Sequence, residues 1–154
     1  LSPGGQDTVE FLISPNPGEP LRPLARIASG GELSRVMLAI RTILATTDRI
    51  PSLVFDEIDT GIGGKTLHAV AEKLAHIAKY TQVICVTHAA QVACRAGTHF
   101  YVFKEADDDH TVIRVELLRD EQRLAELARM LAGKVDGLAR EHARQMLEQY
   151  NHGL

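Results

Sequence analysis

Three acids, Asp56, Glu57 and Asp59, follow directly on the apolar run Leu53-Val54-Phe55. An unbroken run of this kind reads as a strand buried on both faces, as inside a parallel sheet. Carboxylates crowded at the end of such a strand repel one another unless a cation joins them. Mg²⁺ suits the place, because it takes one or two protein carboxylates and keeps water and phosphate oxygens as its other ligands. Alternation along the strand sends Asp56 and Glu57 to opposite sides of its carboxyl end, where open α/β sheets bind ligands. Glu57, left off the metal, could activate a water. The plainer alternative is a buried strand followed by a solvated acidic turn.

A second candidate is Ser29-Gly30-Gly31-Glu32. A capping box explains the serine and the glutamate, with Ser29 accepting from a backbone amide and Glu32 reaching back. It leaves unexplained two glycines in the first turn of a helix, each costing up to roughly 1 kcal/mol against alanine. Bare backbone at the positive end of a helix dipole lets an anion approach free amides, so the tetrapeptide reads as a phosphate site. His88 is a third candidate: it ends the apolar strand Val83-Ile84-Cys85-Val86-Thr87, which the right-handed crossover rule places beside the strand bearing Asp56 and Glu57. A histidine there could donate to a phosphate or to an attacking water. As a lone residue it is equally a satisfied histidine at a strand end. His68, His76, His110, His142 and His152 fall on helix faces, loops or the terminus and receive no role.

Gly64-Lys65-Thr66 copies the end of a phosphate-binding P-loop, but the position five residues earlier, which that motif reserves for glycine, is Asp59. A phosphate there would face three carboxylates, so a self-contained P-loop is rejected and Lys65 reads as a surface residue.

The elements that must hold these residues follow from periodicity. Val9, Phe11 and Ile13 suggest a short strand, ended by Ser14-Pro15-Asn16-Pro17-Gly18-Glu19-Pro20. Val36, Met37, Ile40 and Leu44 keep helical spacing, with Leu38 and Ala39 widening the stripe toward a largely buried helix. A glycine-containing loop then leads to a second helix on Leu67, Val70, Ala71, Leu74 and Ala78. Phe100 to Phe103 and Ile113, Val115 and Leu117 make a hairpin about the acidic turn Asp107-Asp108-Asp109, followed by a helix that stops at Gly133 and another from about Asp136 to Tyr150.

At 154 residues the chain has the length of one domain and can bury a core, with 45% hydrophobic and 24% charged residues. Net charge is −3, and the 17 Lys and Arg form no basic run, which argues against a DNA-binding surface. With no spanning apolar run and no signal peptide, composition predicts a cytoplasmic protein without membrane contact. The spacing of Cys85 and Cys94 matches neither a zinc site nor a redox motif, which predicts reduced, structural thiols. A start at Leu1 rather than methionine is what a piece of a longer chain would show.

In the order Ala28-Ser29-Gly30-Gly31-Glu32-Leu33-Ser34-Arg35, then residues 53–57, then Asp59, then Thr87-His88, the sequence resembles the second half of an ABC-type ATPase head. The pieces are similar in turn to the signature motif, the Walker B strand with its catalytic glutamate, the D-loop aspartate and the switch histidine. The wording of residues 27–35 and 55–64, with Asn16-Pro17-Gly18-Glu19 and Leu127-Ala128-Arg129-Met130-Leu131-Ala132-Gly133, is closer still to the RecN family, SMC-like proteins of bacterial DNA double-strand break repair. Ala89-Ala90 stands where that family commonly has Leu-Pro.

The resemblance implies an α/β fold, the C-terminal lobe of an ABC/SMC-type head, with a mostly parallel sheet flanked by helices and a terminal hairpin. Residues 1–154 would form this one lobe, with the Walker A lobe and coiled coil supplied elsewhere in the chain. It implies ATP and Mg²⁺ as cofactors, with Asp56 holding the metal through water and Glu57 and His88 catalytic. Ser29, Gly30 and Gly31 would reach the nucleotide of a second head, and Asp59 would help join the two sites. Expected partners are the N-terminal lobe, a second head in an ATP-dependent dimer, and DNA through the intact protein near the bacterial nucleoid. The lobe alone would be inactive. Two other readings remain: the head lobe of another SMC or ABC-type ATPase, or a non-enzymatic docking lobe of the same fold.

Overall fold

The run at residues 53–55 does form a strand. The computed structural model describes residues 5–14, 17–26, 29–45, 47, 50–107 and 110–151. Pro15, Asn16, Ile27, Ala28, Asp108, Asp109 and His152, which the sequence reading used, lie outside them. Along the chain, β1 (Leu12–Ile13) pairs antiparallel with β2 (Arg22–Pro23), and a 3₁₀ turn at Leu24–Arg26 leads toward α1 (Gly30–Leu44). Then come β3 (Ser52–Phe55), α2 (Gly64–Ile77), β4 (Gln82–Cys85) and the short α3 (Ala90–Ala93). The hairpin β5 (His99–Asp107) and β6 (His110–Leu118) precedes α4 (Asp120–Ala132) and α5 (Gly137–Asn151).

Strands β3 and β4 pair in parallel from Ser52↔Gln82 to Phe55↔Cys85, with α2 as the crossover. This is the β-α-β unit that the alternation of apolar runs predicts. It is the parallel pair among the described residues, the other two sheets being antiparallel ribbons. Strand β1 is shorter than the pattern at residues 9–13 suggests: the ladder holds Leu12 and Ile13, Phe11 O accepts from Leu24 N at 2.7 Å just beyond it, and the side chains of Val9 and Phe11 are exposed.

Two apolar clusters hold these elements. Leu38 of α1, Phe55 of β3, Ile58, and Leu67, Val70, Ala71, Leu74 and Ile77 of α2 form the first, with Val92 of α3. The second gathers Ala90, Ala93 and Cys94 around Leu124, Leu127 and Ala128 of α4 and Ala139, Ala143 and Met146 of α5. Helix α3 has side chains in both, Val92 in the first and Ala90 and Ala93 in the second, so this short helix joins the two halves of the core. The expected stop at Gly133 and the expected start near Asp136 both hold. Gly133 takes a left-handed φ of 72° and its N–H donates to Arg129 O at 2.8 Å, while Asp136 Oδ1 accepts from Ala139 N at 2.9 Å at the start of α5.

The sheet departs from expectation on one face. Leu53, Phe55, Val83 and Cys85 turn inward, but Val54, Ile84 and Val86 on the opposite side are exposed. Helix α1 is likewise half covered: Leu38 is buried, whereas Leu33, Met37 and Ile43 are exposed. The unbroken apolar run codes for two covered faces, and the described residues cover one.

Candidate nucleotide site at the carboxyl ends of the parallel strands

Ser29 caps α1 as the capping-box pattern predicts, with extended backbone and its hydroxyl accepting from Glu32 N at 3.2 Å. The helix start lies against the acidic turn of the same chain. A Cβ on Gly31 would stand 2.7 Å from Glu57 O and 3.2 Å from Thr60 O, both backbone, and one on Gly30 would stand 2.7 Å from Glu57 Oε2. Glycine is therefore required at position 31 by close approach, a reason the sequence reading did not contain.

This contact yields a contrast that can be measured on the chain itself. Gly31→Ala forces α1 off the turn and should cost about 1–3 kcal/mol, the usual penalty of overpacking. Gly30→Ala meets only the far end of a flexible side chain and gains helix propensity, so it should leave the urea midpoint unchanged or higher. Equal midpoints for the two variants would contradict this packing.

Two further side chains of α1 grip the same turn. Ser34 Oγ donates to Asp56 O at 2.8 Å, and Arg35 Nη1 donates to Ile58 O at 3.2 Å and Thr60 O at 2.9 Å. Neither residue was given a role from sequence, because their partners are carbonyls with no side-chain signature. Held this way, Glu57 adopts φ 56°, a left-handed conformation uncommon outside glycine. The strand ends at Phe55, so alternation does not govern Asp56 and Glu57, and the expectation of opposite faces has no ladder to rest on.

Asp56 and Glu57 are exposed, and neither carboxylate has a hydrogen-bond partner among the described residues. No group of three or more His, Cys, Asp or Glu among those residues could hold a metal by itself. Such a donor set fits an ion that takes a single protein carboxylate and completes its shell with water and phosphate, as Mg²⁺ does. Asp56 is the ligand this chain could offer.

His88 lies beside this turn, because Val86 N donates to Phe55 O at 2.9 Å and brings residues 87–89 level with residues 56–59. The link between them is Asp59, which is only 3% exposed. Its Oδ2 accepts from Thr87 Oγ1 at 2.6 Å, His88 N at 3.0 Å and Ala89 N at 3.1 Å, and lies 3.2 Å from His88 Nδ1. The side chain expected to join two heads is thus committed within its own chain. The structure brings Ser29, Gly30, Gly31, Asp56, Glu57, Asp59 and His88 to one end of the parallel pair.

Helix α2 opens at Gly64 without a side-chain cap, and Lys65 is exposed, the surface residue that the sequence suggests. Burial, with Asp59 and Asp56 nearby, pushes the Cys85 thiol up to about 12, and burial raises Cys94 to about 11. Both are free and stay protonated near neutral pH, which keeps them inert.

A glycine-rich helix start, an acidic strand end and a histidine strand end, gathered in that chain order around a parallel β-α-β unit, define an α/β lobe with these residues at the carboxyl ends of its parallel strands. Sequence comparison narrows it. The chain is 52% identical over 143 residues to the DNA repair protein RecN of Deinococcus radiodurans, and 47% identical over 150 residues to that of Bacillus subtilis. These alignments cover 93% and 97% of this chain, but 25% and 26% of those proteins. The chain thus spans about a quarter of the length of these relatives, and over that span it belongs with the RecN proteins. No family model matches it. A solved structure described as the structural biochemistry of ATP-driven dimerization and DNA stimulated activation of SMC ATPases superposes with a TM-score of 0.49 at 23% identity, covering 84% of this chain and 83% of that one.

Proposed function

We propose that this chain is the C-terminal lobe of an SMC-like ATPase head acting in recombinational repair of DNA double-strand breaks. The observation that carries this reading is the meeting of Glu57, Asp56 and His88 with the glycine-rich start of α1 at one end of the sheet. The names of its relatives as DNA repair proteins support the biological setting.

In this reading ATP is the nucleotide, and bound Mg²⁺ supplies charge neutralisation at its phosphates. Asp56 is the residue that would hold the ion. Glu57, free of protein partners, polarises the attacking water, and His88 presents its imidazole to the γ-phosphate. Ser29, Gly30 and Gly31 offer a helix N-terminus to the nucleotide of a second head. The turn at residues 57–61 approaches that head through its backbone, since the Asp59 carboxylate is turned inward.

The nucleotide's own cradle comes from an N-terminal Walker A lobe. The open face of Val54, Ile84 and Val86 is where that lobe packs on the sheet, because apolar parallel sheets occur almost only with both faces covered. The intact protein would work at the nucleoid in the bacterial cytoplasm. Among the described residues no helix is long and apolar enough to cross a membrane.

The test is ATP turnover by the complete protein, by this chain alone, and by this chain co-expressed with the remainder as a separate lobe. The complete protein and the reconstituted pair should hydrolyse ATP, and this chain alone should not. A reconstituted complex that forms yet hydrolyses nothing would support a docking lobe instead.

A further inference from the structure

Asp59 is the one charged side chain buried among the described residues, and the resemblance gives no reason for burying it. A carboxylate leaves water only where donors replace its hydration. Here every hydrogen-bond donor reaches Oδ2 and comes from residues 87–89, the Thr87 hydroxyl and the amides of His88 and Ala89, with the His88 ring 3.2 Å away, while Oδ1 is buried without a partner among the described residues. Thr87 Oγ1 also accepts from Ala89 N at 3.0 Å, which closes the arrangement. The His88 side chain is 80% exposed while its Nδ1 lies against the buried carboxylate. A neutral imidazole facing a carboxylate through Nδ1 carries its proton there, which leaves Nε2 as the bare, outward nitrogen.

We propose that Asp59 is a positioning residue acting within its own chain, which fixes His88 as the Nδ1–H tautomer and leaves Nε2 facing outward at the same end of the parallel pair as Glu57. It also serves as the cap that Ala89-Ala90 cannot provide, because α3 begins with no side-chain cap and the Ala89 amide is bound by Asp59. The assignment rests on the reading of His88 as a group at the nucleotide, where the bare Nε2 accepts a hydrogen bond from the attacking water rather than donating to the γ-phosphate, and it departs from a bridging role for the Asp59 carboxylate between two heads.

Two measurements test it. In the 154-residue chain labelled with ¹⁵N-histidine, with the His88 signals identified by their loss in His88→Gln, the ring nitrogens should report the Nδ1–H tautomer at mildly alkaline pH. Asp59→Ala should return His88 to the Nε2–H form that free imidazole side chains favour. An Nε2–H tautomer in the unsubstituted chain overturns the proposal whatever the complete protein does with ATP, so the result remains decisive even if the ATPase reading fails.

In the complete protein, Asp59→Asn keeps the shape and removes the charge. It should lower kcat by roughly 10- to 100-fold, the usual effect of losing a carboxylate that orients a functional histidine, with KM changed less than about twofold. ATP-dependent head pairing should persist, and in a His88→Ala background the same change should add no further loss. Lost pairing with normal turnover per pair, or an equal loss in the His88→Ala background, would show that Asp59 acts between heads or independently of His88.

Discussion

Glu57→Gln in the complete protein is expected to retain ATP-dependent pairing of heads and to lose turnover by ~10² to 10⁴ fold, the usual worth of a general base. The amide is isosteric and no more strained than the acid at φ 56°, so the turn and its contacts with Ser34 and Arg35 should survive. What disappears is the basic oxygen. Because the Glu57 carboxylate has no protein partner among the described residues, its loss leaves no buried donor orphaned, and a change in activity reports on chemistry rather than folding. Steady-state hydrolysis together with size-exclusion chromatography in ATP separates the two steps. Undiminished turnover would remove Glu57 from the mechanism.

The second large effect is expected at the helix cap. Ser29→Arg places a long cation where the second head's nucleotide would approach α1, and should abolish ATP-dependent pairing while the same head still takes up nucleotide. Losing the Ser29 cap costs about 1 kcal/mol, too little to unfold a domain of ordinary stability. Ser29→Asp provides the companion measurement, since aspartate caps a helix as well as serine does. It retains the helix start but repels phosphate, so it too should block pairing. Pairing and uptake lost in equal measure would mean that α1 serves the nucleotide of its own head.

The parallel unit, the hairpin and the terminal helices were legible in the sequence because each is written in local pattern. Apolar runs mark β3 and β4, 3.6-residue spacing marks α2 and α4, and Gly133 marks a stop. The location of the site was legible for the same reason: a charge at the end of an apolar strand is a local anomaly. The close packing of α1 on the Glu57 turn was not. It depends on Arg35 reaching carbonyls 23 and 25 positions away, and on a missing side chain at Gly31, neither of which leaves a periodic trace. The inward turn of Asp59 was hidden because an acid three positions from Asp56 reads as one more surface carboxylate until a donor-rich loop is placed against it.

The bare side of the β3–β4 pair has a consequence for how this lobe must be made. Val54, Ile84 and Val86 stand side by side in water, and Val102, Ile113 and Val115 of the hairpin are also uncovered. Exposed β-branched surface invites self-association at concentration. The isolated lobe should therefore remain monomeric when dilute and self-associate as its concentration rises, and its soluble yield should increase when its structural complement is synthesised in the same cell.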